Sequence, residues 1–149
     1  MFSQDFLKDN IEKFLNSSHS SLHDFFGAHF YETKGVVFRV WAPSAKKLSV
    51  IGSFNNWNEN KHVLEKVHPC GIWQIFIKNL KTLHLYKYHI VLPDGKKQVK
   101  ADPFAFFTEL RPHNSSYIYD VDNFVWDDFN WMEKRKCKNS YSTNRRNKL

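Results

Sequence analysis

From Val36 to Val121 the hydrophobic period is two, and turn residues interrupt it at short intervals. A helix needs its buried stripe to recur every three or four residues, so this stretch is confined to strands. Val36, Phe38 and Val40 alternate with Val37, Arg39 and Trp41, and Ala42-Pro43 ends that strand because proline has no N–H for a ladder. Residues 47–52 form a second strand with Leu48 and Val50 on one face, and 55–60 is loop. Residues 72–77 form a third, entered through Pro69-Cys70-Gly71. Residues 85–92 form a fourth, closed by Pro93-Asp94-Gly95, a turn that suits a hairpin returning through 98–101. Residues 116–121 read as an edge strand. Six short strands without an intervening helical pattern predict an all-β fold, an antiparallel β-sandwich. It is immunoglobulin-like in architecture alone, for the Cys-Trp-Cys framework is missing.

The flanks read differently. Phe6, Leu7, Ile11, Phe14 and Leu15 have helical spacing and predict a short amphipathic helix over 5–15, and 22–30 is a compact aromatic connector around Gly27. The expected plan is a lead-in over 1–30, the sandwich over 31–125, and a linker with a basic tail over 126–149. One domain accounts for 149 residues, and 14 Phe, 6 Tyr and 5 Trp can fill its core. Five glycines and no G-x-G-x-x-G or G-x-x-x-x-G-K-[ST] string argue against a phosphate loop. No apolar run approaches the ~20 residues of a membrane span, and the charged N-terminus lacks a secretory pattern, so a cytoplasmic protein is expected.

The net charge is +7, but residues 133–149 hold seven Lys/Arg against one Glu, which leaves the body near neutral. Basicity confined to a tail reads as solvated, disordered chain from 134 onward, and no nucleic-acid partner is expected. Cys70 and Cys137 are far apart and the eight histidines scattered, so no disulfide, metal site or cofactor is expected, and the histidines read as surface residues.

Residues 52–57 read Gly-Ser-Phe-Asn-Asn-Trp, where a strand ends and a loop begins. A tryptophan held there by a Gly/Asn turn presents a flat ring to the C–H face of a sugar, with Asn55 and Asn56 beside it for hydroxyls. Trp57 has a second reading, as cover for a core edge. Trp41 and Trp73 lie within alternating strands and read as core or inter-domain packing, and Trp126 and Trp131 as contacts for a further domain, exposed as an apolar patch without it. Asp102, Glu109, Asp120, Asp122, Asp127 and Asp128 lie in turns or edges and read as solvated carboxylates or turn caps, so no catalytic residue is assigned.

Three strings in order, V-F-R-V-W-A-P-S-A (37–45), I-G-S-F-N-N-W (51–57) and K-A-D-P-F-A (100–105), resemble the N-terminal β-sandwich of glycogen branching enzymes, a carbohydrate-binding module of family 48. Phe26-Gly27-Ala28-His29, Tyr86-Lys87-Tyr88 and Glu109-Leu110-Arg111-Pro112 add to the likeness, which runs from 22 to 132. The resemblance implies α-1,4-glucan or glycogen as partner and Lys87 as a further sugar contact. The second platform tryptophan of glycogen-binding relatives falls near Lys96 or Lys97, so that ring is missing. In such enzymes a (β/α)₈ barrel of glycoside hydrolase family 13 follows and performs the transfer. That barrel needs ~250 residues and two carboxylates ~5–5.5 Å apart, for which this chain has neither room nor candidates. Residues 142–149, S-T-N-R-R-N-K-L, depart from the family, which implies a chain truncated before its barrel. The expected role is a non-catalytic glucan-binding or docking domain. One chain of a split branching enzyme, and a free glycogen-targeting regulatory module, remain alternatives.

Overall fold

The computed structural model describes residues 4–31, 35–121 and 128–137. Twelve residues, α1 (Gln4–Leu15), form the expected helix, and α2 (Leu22–Phe25) is a single turn before the first strand. Strands β1 (Gly27–Tyr31), β2 (Gly35–Trp41), β3 (Lys47–Gly52), β4 (Glu65–His68), β5 (Ile72–Lys78), β6 (Leu85–Val91), β7 (Lys97–Lys100), β8 (Phe107–Thr108) and β9 (Ser116–Tyr117) follow, and then α3 (Phe129–Cys137).

All pairings are antiparallel, in two sheets: β1-β2-β5-β4, and β3-β6-β9-β8 with β7 also on β6. One edge of β6 carries β3 along its length, and the other is shared by β7 and β9. The alternation read from sequence faces inward as expected: Val36, Phe38, Val40, Leu48, Val50, Trp73, Ile77, Tyr86, Tyr88 and Ile118 form the core between the sheets. The β6–β7 turn forms as read, with Gly95 at φ +82.

Three strands lie outside the sequence reading. The connector 22–30 ends in β1, which pairs residue for residue with β2. Its glycine and histidine mask the pattern. The fragment E-K-V-H of β4 is a charged edge strand broken by a register shift, and β8 is two residues long. Conversely, the predicted 116–121 strand pairs only over Ser116–Tyr117.

The lead-in packs on the sandwich. Ile11, Phe25, Phe26 and Ile72 form a second core on the outer face of the first sheet, so both faces of β2 are buried. Arg39 lies there, 1% exposed, with its guanidinium 5.1 Å from the Phe25 ring centre and Nε donating to Gln74 Oε1 at 2.6 Å. Burial lowers its pKa to about 10. Trp73 is core, whereas Trp41 is half exposed and meets Phe14 edge-on.

The basic tail needs one correction. Residues 134–137 belong to α3, whose Met, Glu, Lys and Arg are good helix formers and whose Arg135 lies over the Trp131 ring one turn back. Trp126 and residues 138–149 lie outside the described residues.

Candidate functional site

Strand β3 stops at Gly52 because the next residues turn. Ser53–Asn55 make one turn of 3-10 helix, and Asn56 and Trp57 follow at φ 54 and 58. Asparagine tolerates the left-handed region, but a bulky residue there is an outlier that persists only when its surroundings enforce it. Here the Trp57 N–H donates to Gly52 O at 2.9 Å and the Asn58 N–H to Asn55 O at 3.2 Å. Phe54 turns inward against Phe38, while Trp57 keeps 42% of its surface exposed. Gly52 is required by close approach: a Cβ there would stand 2.2 Å from Leu85 O.

Of the two asparagines before Trp57, Asn55 works from inside. It is 4% exposed and its amide is taken up by the Gly52 N–H, Val50 O and His62 Nδ1. It builds the turn, buried and with both amide hydrogens committed, which corrects its reading as a sugar contact. Asn56 is exposed.

Lys87 pairs with Ile51, next to Gly52, so β6 brings it beside the Trp57 turn. Its Nζ donates to Asn114 Oδ1 at 2.6 Å. Asn114 went unread in the sequence. It is 27 residues from Lys87, and only the pairing of β6 with β9 brings the two together. The 109–115 loop carrying it is closed by Glu109 N–H to Ser115 O at 2.9 Å and by Ser115 N–H to Glu109 Oε2 at 3.0 Å. At its tip Leu110 is 89% exposed.

Lys97, where the missing ring would fall, has an ionic role. Its Nζ lies 2.7 Å from Glu59 Oε1, Glu59 Oε2 is 2.9 Å from His89 Nε2, and Ser49 Oγ donates to Glu59 O at 2.7 Å. These contacts strap the loop after Trp57 to the outer face of the second sheet, and the Lys97 hydrogen bond holds the Glu59 carboxyl below its ordinary range. His89 is 5% exposed, contrary to its surface reading.

Asp102 and Glu109 have structural partners rather than each other. The Phe104 and Ser115 N–H groups donate to Asp102 and Glu109 respectively. Asp102 is the exception to the solvated reading: 5% exposed, it accepts both the Tyr86 and Tyr88 hydroxyls. Among the described residues no His, Cys, Asp and Glu groups assemble for a metal, and no helix is long and apolar enough to cross a membrane. A cleft of about 340 Å³ opens at the β1 edge, lined by His29, Phe30, Phe106 and Tyr119 among others, and includes none of the residues around Trp57.

Residues 25–105 match carbohydrate-binding module 48 (isoamylase N-terminal domain). The chain belongs to that family. The module is 41% identical over 138 residues to the 1,4-alpha-glucan branching enzyme GlgB of Bacillus cytotoxicus, covering 91% of this chain and 21% of the relative. It is 47% identical over 117 residues to that of Desulfitobacterium hafniense, covering 76% of this chain and 18% of the relative. It thus spans about a fifth of the length of the curated relatives it matches. Among solved structures, a putative alpha amylase from Salmonella typhimurium aligns with TM-score 0.55 and 20% identity over 72% of this chain and 17% of that one. A pullulanase from Bacillus acidopullulyticus aligns with TM-score 0.55 and 22% identity over 65% and 12%. At such identity the likeness concerns the sandwich.

Proposed function

We propose that this module binds α-1,4-glucan without catalysing its conversion, as the N-terminal domain of a glycogen branching enzyme. One sugar ring packs on Trp57, while Asn56, Lys87 and Asn114 supply hydrogen bonds to its hydroxyls, and Asn55 keeps the turn in shape. The observation that carries this reading is Trp57 itself, a 42%-exposed ring held at φ 58 by a turn that a buried asparagine braces from inside. The relatives are 1,4-alpha-glucan branching enzymes, which supports an α-1,4-glucan as the polymer; glycogen as that glucan and a cytoplasmic setting belong to the proposal. A (β/α)₈ barrel, on the same or a separate chain, is the matching catalytic partner. Docking on it is a second role for the module, favoured by the exposed Phe107 on β8 and Leu110 in the 109–115 loop.

The test is calorimetric titration of the purified chain with a soluble maltooligosaccharide, beside Trp57→Ala. With one platform the binding is weak but saturable, and the variant loses at least about tenfold, the equivalent of ~1.4 kcal/mol. A folded chain that shows no saturation at millimolar sugar refutes the reading, as does equal binding by the variant.

A further inference from the structure

The turn that presents Trp57 depends on one imidazole nitrogen. Asn55 Oδ1 accepts the Gly52 N–H at 2.9 Å, and its Nδ2 donates to Val50 O at 2.9 Å and to His62 Nδ1 at 2.9 Å. The first two contacts settle which end of the amide is which. Turned over, it would set oxygen against the Val50 carbonyl and N–H against the Gly52 N–H. With Nδ2 committed as donor, His62 Nδ1 must keep its lone pair, and the ring proton sits on Nε2. Imidazolium carries N–H on both nitrogens and would face donor with donor.

His62 is itself held in place. Its carbonyl accepts the Val50 N–H at 2.9 Å, and its ring centre lies 5.5 Å from that of Phe54. The charged group acting on it is Lys61, adjacent in the chain; Phe54 also meets the ring of His84, whose Nδ1 lies 3.1 Å from Ser53 Oγ. Burial and then the Lys61 charge hold the His62 pKa below the ordinary 6.5.

We propose that neutral His62 is a positioning residue for the glucan site, and that acidification breaks its bond to Asn55, slackens the turn under Trp57 and weakens sugar binding. This rests on Trp57 being the platform. Losing one hydrogen bond of this kind corresponds to about threefold to tenfold in affinity.

His62→Asn places a carbonyl oxygen near the position of Nδ1 with nothing to titrate, and His62→Leu removes the acceptor. The full chain and each variant are titrated with maltooligosaccharide between pH 8 and pH 5, and the Asn55 side-chain amide signals are followed by NMR without sugar. The wild type is expected to lose about threefold to tenfold as pH falls. His62→Asn binds alike throughout, His62→Leu is weak throughout, and the wild-type Asn55 signals move with a midpoint below 6.5. His84→Asn keeps the wild-type response. One pH profile shared by wild type and His62→Asn overturns the proposal, as does a response abolished by His84→Asn or an Asn55 amide indifferent to pH. If the chain binds no sugar at any pH, the glucan reading falls, and the amide titration alone decides whether His62 holds the turn.

Discussion

Replacing Asp102 by alanine removes the polar centre of the sandwich. Its Oδ2 accepts the Tyr86 hydroxyl at 2.7 Å and that of Tyr88 at 3.1 Å, and its Oδ1 accepts the Phe104 N–H at 2.9 Å. Both tyrosines are no more than 1% exposed, so water cannot reach the hydroxyls that alanine strands. A buried donor left unpaired costs about 1–3 kcal/mol, so two cost roughly 2–6 kcal/mol, against a total of about 5–15 kcal/mol for a domain. Asp102→Asn keeps the shape and an acceptor and should cost about 1 kcal/mol. Urea unfolding followed by tryptophan fluorescence reads both, as a fall in midpoint at constant slope. The pH response adds a second check. Burial outweighs the three donors and holds the Asp102 pKa above 3.8. What this group contributes to stability is therefore greatest below 3.8 and declines as pH rises through its folded pKa, a slope that Asp102→Asn removes. Asp102→Ala within about 1 kcal/mol of wild type, at unchanged slope, would refute the reasoning.

Two further outcomes concern the turn and the lead-in. Gly52→Ala drives a Cβ to 2.2 Å from Leu85 O and 2.7 Å from the Phe54 ring, so it should cost about 1–3 kcal/mol and weaken maltooligosaccharide binding; an unchanged melting temperature would show that the strand end can yield. His29, with Nε2 2.8 Å from Phe26 O, has its pKa lowered below 6.5, chiefly by burial. Its contribution to stability is complete above 6.5 and lost as pH falls through the folded value, so the urea midpoint should drop between pH 7.5 and 5, and drop less in His29→Gln.

The sandwich and the Trp57 turn were legible because their signals are local. Alternation along Val36–Val40 and Leu48–Val50 follows from the pleat, and the Gly52 and Asn56 positions from backbone geometry, so neighbouring residues carry the information. Strand β1 was not legible, since G-A-H-F-Y takes its place only by pairing with β2. Asp102 shows why site chemistry is harder. Asp-Pro reads as a turn, and it does cap the Phe104 N–H, but its burial is decided by two tyrosines 16 and 14 residues away. Asn55 read as a sugar contact because an amide beside an exposed ring looks available; Gly52 and Val50 hold it from within the same turn, and the third partner, His62, arrives once the loop returns. Lys87 and Asn114 meet by strand register, and Lys97 finds Glu59 across a hairpin and a loop. The sequence alone determined six of the strands, which of their faces turns inward and that a tryptophan stands on the turn after β3, since each rests on backbone geometry over a few residues. Only the tertiary structure decided which polar groups are buried, paired or free, because those partners come from distant segments whose meeting is set by register.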